Sequence, residues 1–282
     1  MRIAYLGPAG TFTEDALTEA TTGGGHFEPL RTATVPDAIL AVANGEADRA
    51  LVPFENSIEG SVRSTLDALA FEGEGVTIVG EHDYVVRAHL IARESLEPAL
   101  VEAVLSHPQP LAQCARFLRE QLPQAERRSV SSTAEAVRLV SESSEPWAAI
   151  GAKAAAELYG CTILHEGVED EADNVTRFVW IAPAGTEPSG EGPWKTSLVF
   201  SELGEDHPGA LVEALQAFSS REVNLTRIES RPLRQGLGRY MFFCDLEGAA
   251  SDPTVAGAIS SLRDLAASVR ILGSYPVGQV PA

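Results

Sequence analysis

Short apolar runs alternate with amphipathic segments over residues 1–182. Residues 2–6 form such a run, a Gly-Pro-Ala-Gly turn follows, and a segment with helical period comes next. The same order recurs farther along the chain, and strands that alternate with helices favour parallel sheets. We therefore predict an α/β region of two lobes, the first about 1–76 plus 161–182 and the second about 77–160. The return of the chain to the first lobe would leave a ligand-binding cleft between them.

The pattern changes after residue 182. Residues 183–193 are rich in proline, glycine and small polar side chains, which is typical of a linker. Over residues 194–282 the apolar periodicity predicts a strand, a helix, two strands, a helix and a last strand. This βαββαβ order is that of a ferredoxin-like domain.

The overall charge excludes some classes of partner. The 282 residues include 40 acidic and 21 basic side chains, which gives a formal net charge of −19. Because so acidic a protein repels phosphate groups, we predict no nucleic-acid partner and no binding to a membrane surface. An anionic substrate would need local cations or donors that outweigh this charge.

The cysteines and the hydropathy of the chain disfavour disulfide-rich, metal-binding, membrane-spanning and secreted proteins. Cys114, Cys161 and Cys244 show no CxxC spacing, so we predict neither a disulfide framework nor a metal site. No apolar run approaches the length of a membrane span, and the first residues lack the apolar core of a secretory signal. We expect a cytoplasmic protein.

Polar residues cluster where three predicted strands end. Thr11 follows a glycine-rich turn whose backbone N–H groups can bind a carboxylate or phosphate. Asn56 and Ser57 follow the second strand end, and Ser106 and Gln113 follow the third. Open α/β sheets bind ligands at such ends, although each motif alone is also typical of a turn or helix cap.

The segment ADNVTRFVWI, residues 172–181, combines a buried-strand pattern with a cation. In an extended chain Thr176 and Phe178 share one face, whereas Arg177 points to the other. Burying a guanidinium group costs on the order of several kcal/mol unless an anion meets it. That anion is either a substrate carboxylate or one of the acidic neighbours, which are Glu169, Asp170, Glu171 and Asp173.

Taken together, these motifs resemble the prephenate dehydratase family over nearly the whole chain. The matching residues are Gly7-Pro8-x-Gly10-Thr11-Phe12, Pro53-x-Glu55-Asn56-Ser57, Ser106-His107-Pro108-Gln109 with Gln113, and Asn174-x-Thr176-Arg177-Phe178, followed by GALVEAL and IESRP. The resemblance implies that prephenate loses water and carbon dioxide to give phenylpyruvate, without cofactor or metal. It also implies a bilobal catalytic region like the type 2 periplasmic binding proteins and, at 194–282, a phenylalanine-sensing ACT domain.

The resemblance assigns roles to the motif residues. It implies that Thr176 is the essential catalytic residue and that Asn56, Ser106 and Gln113 are its polar partners. The expected substrate contacts are Thr11, Ser57, Arg177 and Phe178. An alcohol is too weak an acid to ionise freely, but it can donate a hydrogen bond, or relay a proton, to the departing oxygen.

Arg177 is the expected anchor of the pyruvyl carboxylate, aided by the N–H groups near Thr11. A tight ion pair with the ring carboxylate would instead stabilise the group that must leave as neutral carbon dioxide. The alternation along the strand turns Arg177 away from Thr176, however. If it does face away, we expect it to orient the acidic loop 169–173.

The ACT resemblance implies control by L-phenylalanine and a homo-oligomer, either a dimer or a tetramer. The helix that starts near Gly209 would present N–H groups to the effector's carboxylate. The expected effector contacts are Gly209, Ala210, Leu211, Asn224, Glu229, Ser230, Arg231 and Pro232.

Three other functions stay open from the sequence. An arogenate dehydratase removes the same groups from the transaminated substrate, and no motif separates the two. A two-lobed solute-binding protein is disfavoured by the missing export signal and the attached sensory domain. A non-catalytic amino-acid sensor would have no need of Thr176.

Overall fold

The computed structural model describes residues 1–23, 26–204 and 207–278. The chain begins with β1 (Arg2–Leu6), α1 (Phe12–Ala20), β2 (Glu28–Thr32), α2 (Val35–Ala43), β3 (Arg49–Asn56), β4 (Gly60–Ser61), α3 (Arg63–Phe71) and β5 (Val76–Val85). It continues with β6 (His89–Ala92), β7 (Ala103–Ser106), α4 (Pro108–Gln113), α5 (Ala115–Gln121), β8 (Glu126–Ser129), α6 (Thr133–Glu142), β9 (Trp147–Gly151), α7 (Lys153–Tyr159), β10 (Thr162–His165) and β11 (Val175–Pro183). The remaining elements are β12 (Trp194–Ser201), α8 (Ala210–Ser219), β13 (Leu225–Pro232), β14 (Tyr240–Glu247), α9 (Pro253–Leu265) and β15 (Ser268–Pro276).

Two sheets organise residues 1–183, and the predicted α/β class is confirmed. The first lobe has the strand order β2-β1-β3-β11-β5, and the second has β10-β6-β9-β7-β8. Both sheets are mixed, which differs from the parallel sheets predicted. The chain returns through β11 antiparallel to β3 and β5, and β6 lies antiparallel to β9 and β10.

The strands divide between the lobes differently from the prediction. The strand β5, predicted at the start of the second lobe, pairs with β11 in the first sheet. The strand β10, predicted to return to the first lobe, pairs with β6 in the second. The chain therefore crosses between lobes after β5 and again before β11. Local periodicity identifies both strands, but the choice of sheet depends on partners far away in the sequence.

The ACT region has the predicted βαββαβ order, with the antiparallel sheet β13-β14-β12-β15. Helices α8 and α9 pack together and bury Phe200, Phe218 and Leu262 with the sheet. Residues 184–193 connect β11 to β12 without forming a helix or strand. The predicted range of this domain extended to residue 282, and residues 279–282 lie outside the described part of the chain.

The sheet of the first lobe continues into the ACT sheet. Strand β15 lies parallel to β5 at a single registered pair, Gly273 opposite Ile78. A Cβ atom at position 273 would lie 2.2 Å from the carbonyl oxygen of Ile78. The two domains can approach this closely because position 273 is glycine. Among the described residues, no helix has the length and apolarity needed to cross a bilayer.

The lobes also touch through α1 and α7, where a carboxyl group is half-buried. Asp15 on α1 accepts a hydrogen bond from the Tyr84 hydroxyl (3.3 Å) and faces the backbone of Ala154. Burial raises the pKa of Asp15 from 3.8 to about 6, and the nearby charges of Glu157 and Glu14 add to the effect.

This raised pKa predicts a stability that falls with rising pH. Below the unfolded-state pKa, Asp15 is neutral in both states. Between about pH 4 and about pH 6 it ionises in the unfolded chain but not in the folded one, so the folded state loses stability. Asp15→Asn, which can still accept from Tyr84, should raise the free energy of unfolding by about 1–2 kcal/mol at pH 8 and leave it unchanged at pH 3.5. Urea titrations at both pH values measure this, and an equal effect at both would contradict it.

Candidate active site

A cavity of about 700 Å³ lies between the two lobes. The first lobe contributes the turn before α1, the end of β3 and the start of β11, whereas the second contributes α4 and the turn before α6. Its lining includes Thr11, Asn56, Glu59, His107, Gln113, Ser131, Ser132, Thr133, Asn174, Thr176 and Phe178. The polar strand ends identified in the sequence therefore do converge on one cleft.

The side chain of Asn56 is the centre of the polar network in this cleft. Its Oδ1 accepts the backbone N–H groups of Ile58 and Glu59, both at 3.0 Å, which fixes the orientation of the amide. The Nδ2 group consequently faces β11. It donates to Asn174 Oδ1 at 2.7 Å and to Thr176 Oγ1 at 2.9 Å.

This arrangement leaves the hydrogen of the Thr176 hydroxyl available. Because Oγ1 accepts from Asn56, the O–H bond is directed elsewhere, and no acceptor for it occurs among the described residues. Thr176 is half-buried and lines the cavity. The site thus presents a neutral, oriented hydrogen-bond donor to whatever molecule occupies the cleft.

A chain of amides connects this donor to the second lobe. Asn174 Nδ2 donates to Gln113 Oε1 at 3.3 Å, and Gln113 Nε2 donates to Glu59 Oε1 at 3.3 Å. Gln113 ends α4 of the second lobe, whereas Asn56 and Thr176 belong to the first. The position of one lobe relative to the other can therefore influence the orientation of Thr176.

No lysine or arginine occurs among the described residues that line the cavity. The donors available to an anion include hydroxyl groups, the amide of Gln109, the imidazole of His107, and the N–H groups at the starts of α1 and α6. One wall carboxylate, Glu135, is neutralised by Arg138 through two hydrogen bonds of 2.9 and 2.8 Å. These bonds hold the pKa of Glu135 below its usual value.

The predicted residues of the catalytic site separate into those that line the cavity and those that do not. The cavity is lined by Thr176, Asn56, Gln113, Thr11 and Phe178.

Two further residues, Ser57 as a predicted substrate contact and Ser106 as a predicted catalytic partner, do not line the cavity. Ser57 links the end of β3 to the segment before β11. Its Oγ donates to the Asp173 carbonyl (3.1 Å) and accepts from Val175 N–H (3.0 Å). Ser106 is fully buried and donates to the Ile150 carbonyl at 2.7 Å, which joins β7 to β9. Its position at a strand end was predicted correctly, but its side chain points into the lobe.

Arg177 is not in the cleft, and both predicted partners for it are wrong. It lies on the opposite face of β11, as the strand alternation predicts, with 11% of its side chain exposed. Its carboxylate partners are Glu55, Glu81 and Asp245 rather than a substrate or the acidic loop. Glu169 of that loop pairs with Arg87, and Asp170 accepts from the backbone N–H of Arg116. Burial lowers the pKa of Arg177, but the raising effects of Asp245, Tyr275 and Glu81 together outweigh it, so the pKa is raised overall.

The predicted effector residues lie at two places in the ACT region. Gly209, with φ 103°, caps α8, whose first residues are Ala210 and Leu211. Asn224 immediately precedes β13, and Glu229, Ser230, Arg231 and Pro232 form the end of that strand, at the edge of the sheet. Arg231 is engaged within the chain, because it donates to both carboxylate oxygens of Asp67 on α3, at 3.0 and 2.8 Å.

Two features of the cleft were missed as site residues. Asn174 was seen in the motif but given no role, although it joins Asn56 to Gln113. The second feature is the turn before α6, where Ser132 Oγ accepts from Glu135 N–H. Its place directly after a strand, like that of Thr11, was the available signal. Among the described residues, no group of three or more His, Cys, Asp or Glu side chains is arranged to hold a metal ion.

Comparison with known proteins identifies the family. A prephenate dehydratase family model matches residues 3–186, and an ACT domain model matches residues 202–264. A prephenate dehydratase of Mycobacterium marinum is 41% identical over 288 aligned residues, which cover 100% of this chain and 90% of the relative.

Solved structures of related proteins are similar to this chain over nearly its full length. The crystal structure of prephenate dehydratase from Arthrobacter aurescens in complex with L-Phe has a TM-score of 0.89 and 40% identity, covering 100% of this chain and 92% of that one. A structure described as GqqA, a novel type of quorum quenching acylase, has a TM-score of 0.84 and 30% identity and covers 98% of each chain. The resemblance predicted from the sequence motifs is confirmed, and the chain belongs to the prephenate dehydratase family.

Proposed function

We propose that the cleft converts prephenate to phenylpyruvate, water and carbon dioxide, with Thr176 as the catalytic residue. The observation that carries this assignment is the hydroxyl of Thr176, which accepts from Asn56 at 2.9 Å and keeps its own hydrogen for the cavity. The C–O bond to the ring hydroxyl breaks as Thr176 donates to that oxygen. The electron pair of the bond to the ring carboxylate moves into the ring, which becomes aromatic as carbon dioxide leaves.

The proton that completes the water molecule is relayed through the Thr176 hydroxyl and restored from solvent. Asn56 holds that hydroxyl by donation, so it orients the alcohol without taking its proton. An oriented donor in a closed cleft can lower a barrier by several kcal/mol, on the order of 3 kcal/mol for one such group. Formation of the aromatic ring supplies the driving force of the reaction, so the site only has to lower the barrier.

The cleft suits a substrate whose ring carboxylate must depart as a neutral molecule. The absence of lysine and arginine from the described lining means that this carboxylate meets no permanently charged cation there. Dipolar N–H groups near Thr11 and Ser132 can bind the two carboxylates more weakly. Such binding holds the substrate while avoiding a tight ion pair that would oppose decarboxylation.

Acyl transfer, suggested by the acylase-like relative, finds less support in the geometry. A threonine nucleophile needs an adjacent base to take its proton. The described partner of Thr176 is the amide of Asn56, which cannot act as that base.

The proposed reaction is tested by mixing the purified protein with prephenate and following phenylpyruvate. Steady turnover is expected, with a larger kcat/KM for prephenate than for arogenate. A larger value for arogenate would assign the transaminated substrate, and no turnover of either would overturn the catalytic assignment in favour of a sensor or solute-binding role.

We also propose that L-phenylalanine binds the ACT region of a homo-oligomer and inhibits the reaction. The related structure in complex with L-Phe and the ACT domain match support this. Replacing Gly209 by aspartate should raise the phenylalanine concentration for half-inhibition at least about tenfold, because a carboxylate and a side chain at φ 103° would both disturb the start of α8.

The matched control for this change is Gly204→Asp. It adds the same charge at another left-handed glycine with open surroundings and should leave inhibition unchanged. Inhibition assays combined with gel filtration measure both variants. Equal phenylalanine sensitivity of Gly209→Asp and the unsubstituted protein would exclude this turn from the effector site.

A further inference from the structure

Six buried or half-buried charged side chains lie where the first lobe meets the ACT domain, and we call them the interdomain ion cluster. The first lobe contributes Glu55, Glu81 and Arg177, and the ACT domain contributes Lys195, Arg227 and Asp245. Three cations balance three carboxylates, so the cluster is neutral as a whole. A neutral, paired cluster can be buried at an interface where an isolated charge could not.

Asp245 is the most enclosed member and is held by its own domain. It is 1% exposed, and its Oδ1 accepts from the Ser197 hydroxyl at 2.6 Å. Ser197 in turn contacts the buried Tyr275 hydroxyl at 2.8 Å. The other carboxylate oxygen, Oδ2, accepts from Arg177 Nη2 at 2.6 Å. The ACT sheet therefore sets the position of Asp245, which in turn fixes Arg177.

The backbone places this cluster directly behind the catalytic pair. In the register of β3 and β11, Thr176 lies opposite Asn56 and Arg177 lies opposite Glu55. The register then shifts, so that Phe178 lies opposite Pro53 and Phe54 has no partner. Glu55 alternates with Asn56 along β3 and therefore faces the ACT domain, and the irregularity allows Pro53 to line the cleft together with Asn56.

Phe54 is the physical link between the two arginines of the cluster. It is fully buried, and the guanidinium groups of Arg177 and Arg227 lie 4.9 and 4.8 Å from its ring centre. Arg227 also pairs with Glu55 at 3.5 Å and donates to Ser61 at 2.6 Å. The cluster therefore contacts β3 and β11 on the face opposite to the one that carries Asn56 and Thr176.

We infer that Asp245 and Arg177 are positioning residues through which the ACT domain sets the orientation of the Thr176–Asn56 pair. A shift of β14 in the ACT sheet moves Asp245, the shift passes to Arg177, and Arg177 is bonded through one peptide unit to Thr176. The coupling to phenylalanine rests on the proposed function. The positioning itself rests only on the contacts described above.

The experiment compares two variants with the unsubstituted protein. Asp245→Asn keeps the shape but removes the charge, and we expect kcat for prephenate to fall about tenfold with KM within about twofold. Phenylalanine should still bind, by calorimetry, but should inhibit less. Hydrogen exchange of a peptide spanning residues 174–178 should become faster.

The double variant Arg177→Gln with Asp245→Asn separates positioning from simple stability. It removes one charge of each sign, and Glu81 keeps Lys195 while Glu55 keeps Arg227, so the cluster stays neutral. We expect the unfolding midpoint to return toward that of the unsubstituted protein while kcat stays low and exchange stays fast. Recovery of kcat together with stability would overturn the inference. This variant also decides the question if Asp245→Asn alone does not fold.

Asp67→Asn is the matched control, because Asp67 also joins the first lobe to the ACT domain, through Arg231 and Arg234. It lies on α3 and should leave kcat and exchange at 174–178 unchanged. A loss equal to that of Asp245→Asn would mean general loosening of the domains and would overturn the inference. If the unsubstituted protein lacks turnover or a phenylalanine response, the proposed function fails, and the exchange comparison still decides the positioning role.

Discussion

Replacing Thr176 with valine should lower kcat for prephenate about 10³-fold while KM changes by less than about threefold. Valine keeps the volume and branching of threonine but has no hydroxyl, so the departing oxygen loses its donor. The donor matters when the C–O bond breaks and contributes little to binding the intact substrate, which explains the separation of kcat from KM. Steady-state assays of phenylpyruvate formation measure both constants.

The conservative variant Thr176→Ser is the control for this prediction. It retains the hydroxyl that accepts from Asn56 and should retain a large part of kcat. Thermal unfolding of both variants should remain close to that of the unsubstituted protein, since Thr176 is only half-buried. If Thr176→Val kept most of its kcat, this alcohol would have no part in the chemistry.

Replacing Gly273 with alanine should lower the free energy of unfolding by about 2–4 kcal/mol and separate the ACT sheet from the first lobe. The added Cβ would lie 2.2 Å from Ile78 O and 2.7 Å from Ile78 Cβ, and the backbone oxygen cannot move aside as a flexible side chain could. Because β15 and β5 meet at this registered pair, the strands must part. Urea unfolding, together with the rate of proteolysis within residues 184–193, measures the effect.

Gly75→Ala is a matched control close to the same junction. Its Cβ would meet Ala43 at 3.5 Å, an ordinary van der Waals distance, so the stability should change by less than about 1 kcal/mol. Equal stability and equal proteolysis for Gly273→Ala and the unsubstituted protein would show that the continuous sheet does not hold the domains together.

The sequence predicts best those features that depend on neighbouring residues. The alternation along residues 174–178 correctly separates Thr176 from Arg177, and the order of periodic segments correctly predicts both domains. The motif at Asn56 is correctly placed at a strand end. Each of these follows from backbone geometry over a few residues.

The ion-pair partners of a buried charged side chain cannot be predicted from its neighbours in the sequence. Arg177 pairs with Glu81 and Asp245, which lie 96 and 68 residues away in the sequence. Among its acidic neighbours, Glu169 pairs with Arg87 and Asp170 accepts from the backbone of Arg116. Ser106 shows a related limit, since a strand end fixes where the residue is but not whether its hydroxyl faces the cleft or a neighbouring carbonyl. Both outcomes depend on which strands become neighbours in the folded sheets.

A crystal structure of Thr176→Val with prephenate bound tests the central claim most directly, because this slow variant should hold the intact substrate in the cleft. We predict that the ring hydroxyl oxygen lies within about 4 Å of the side chain at position 176, in van der Waals contact with it. In the unsubstituted protein the threonine hydroxyl at this position would come within about 3 Å of that oxygen, the distance that a donated hydrogen bond requires. We also predict that the ring carboxylate contacts no lysine or arginine. A bound substrate whose ring hydroxyl points away from position 176 would contradict the assignment of Thr176 as the donor.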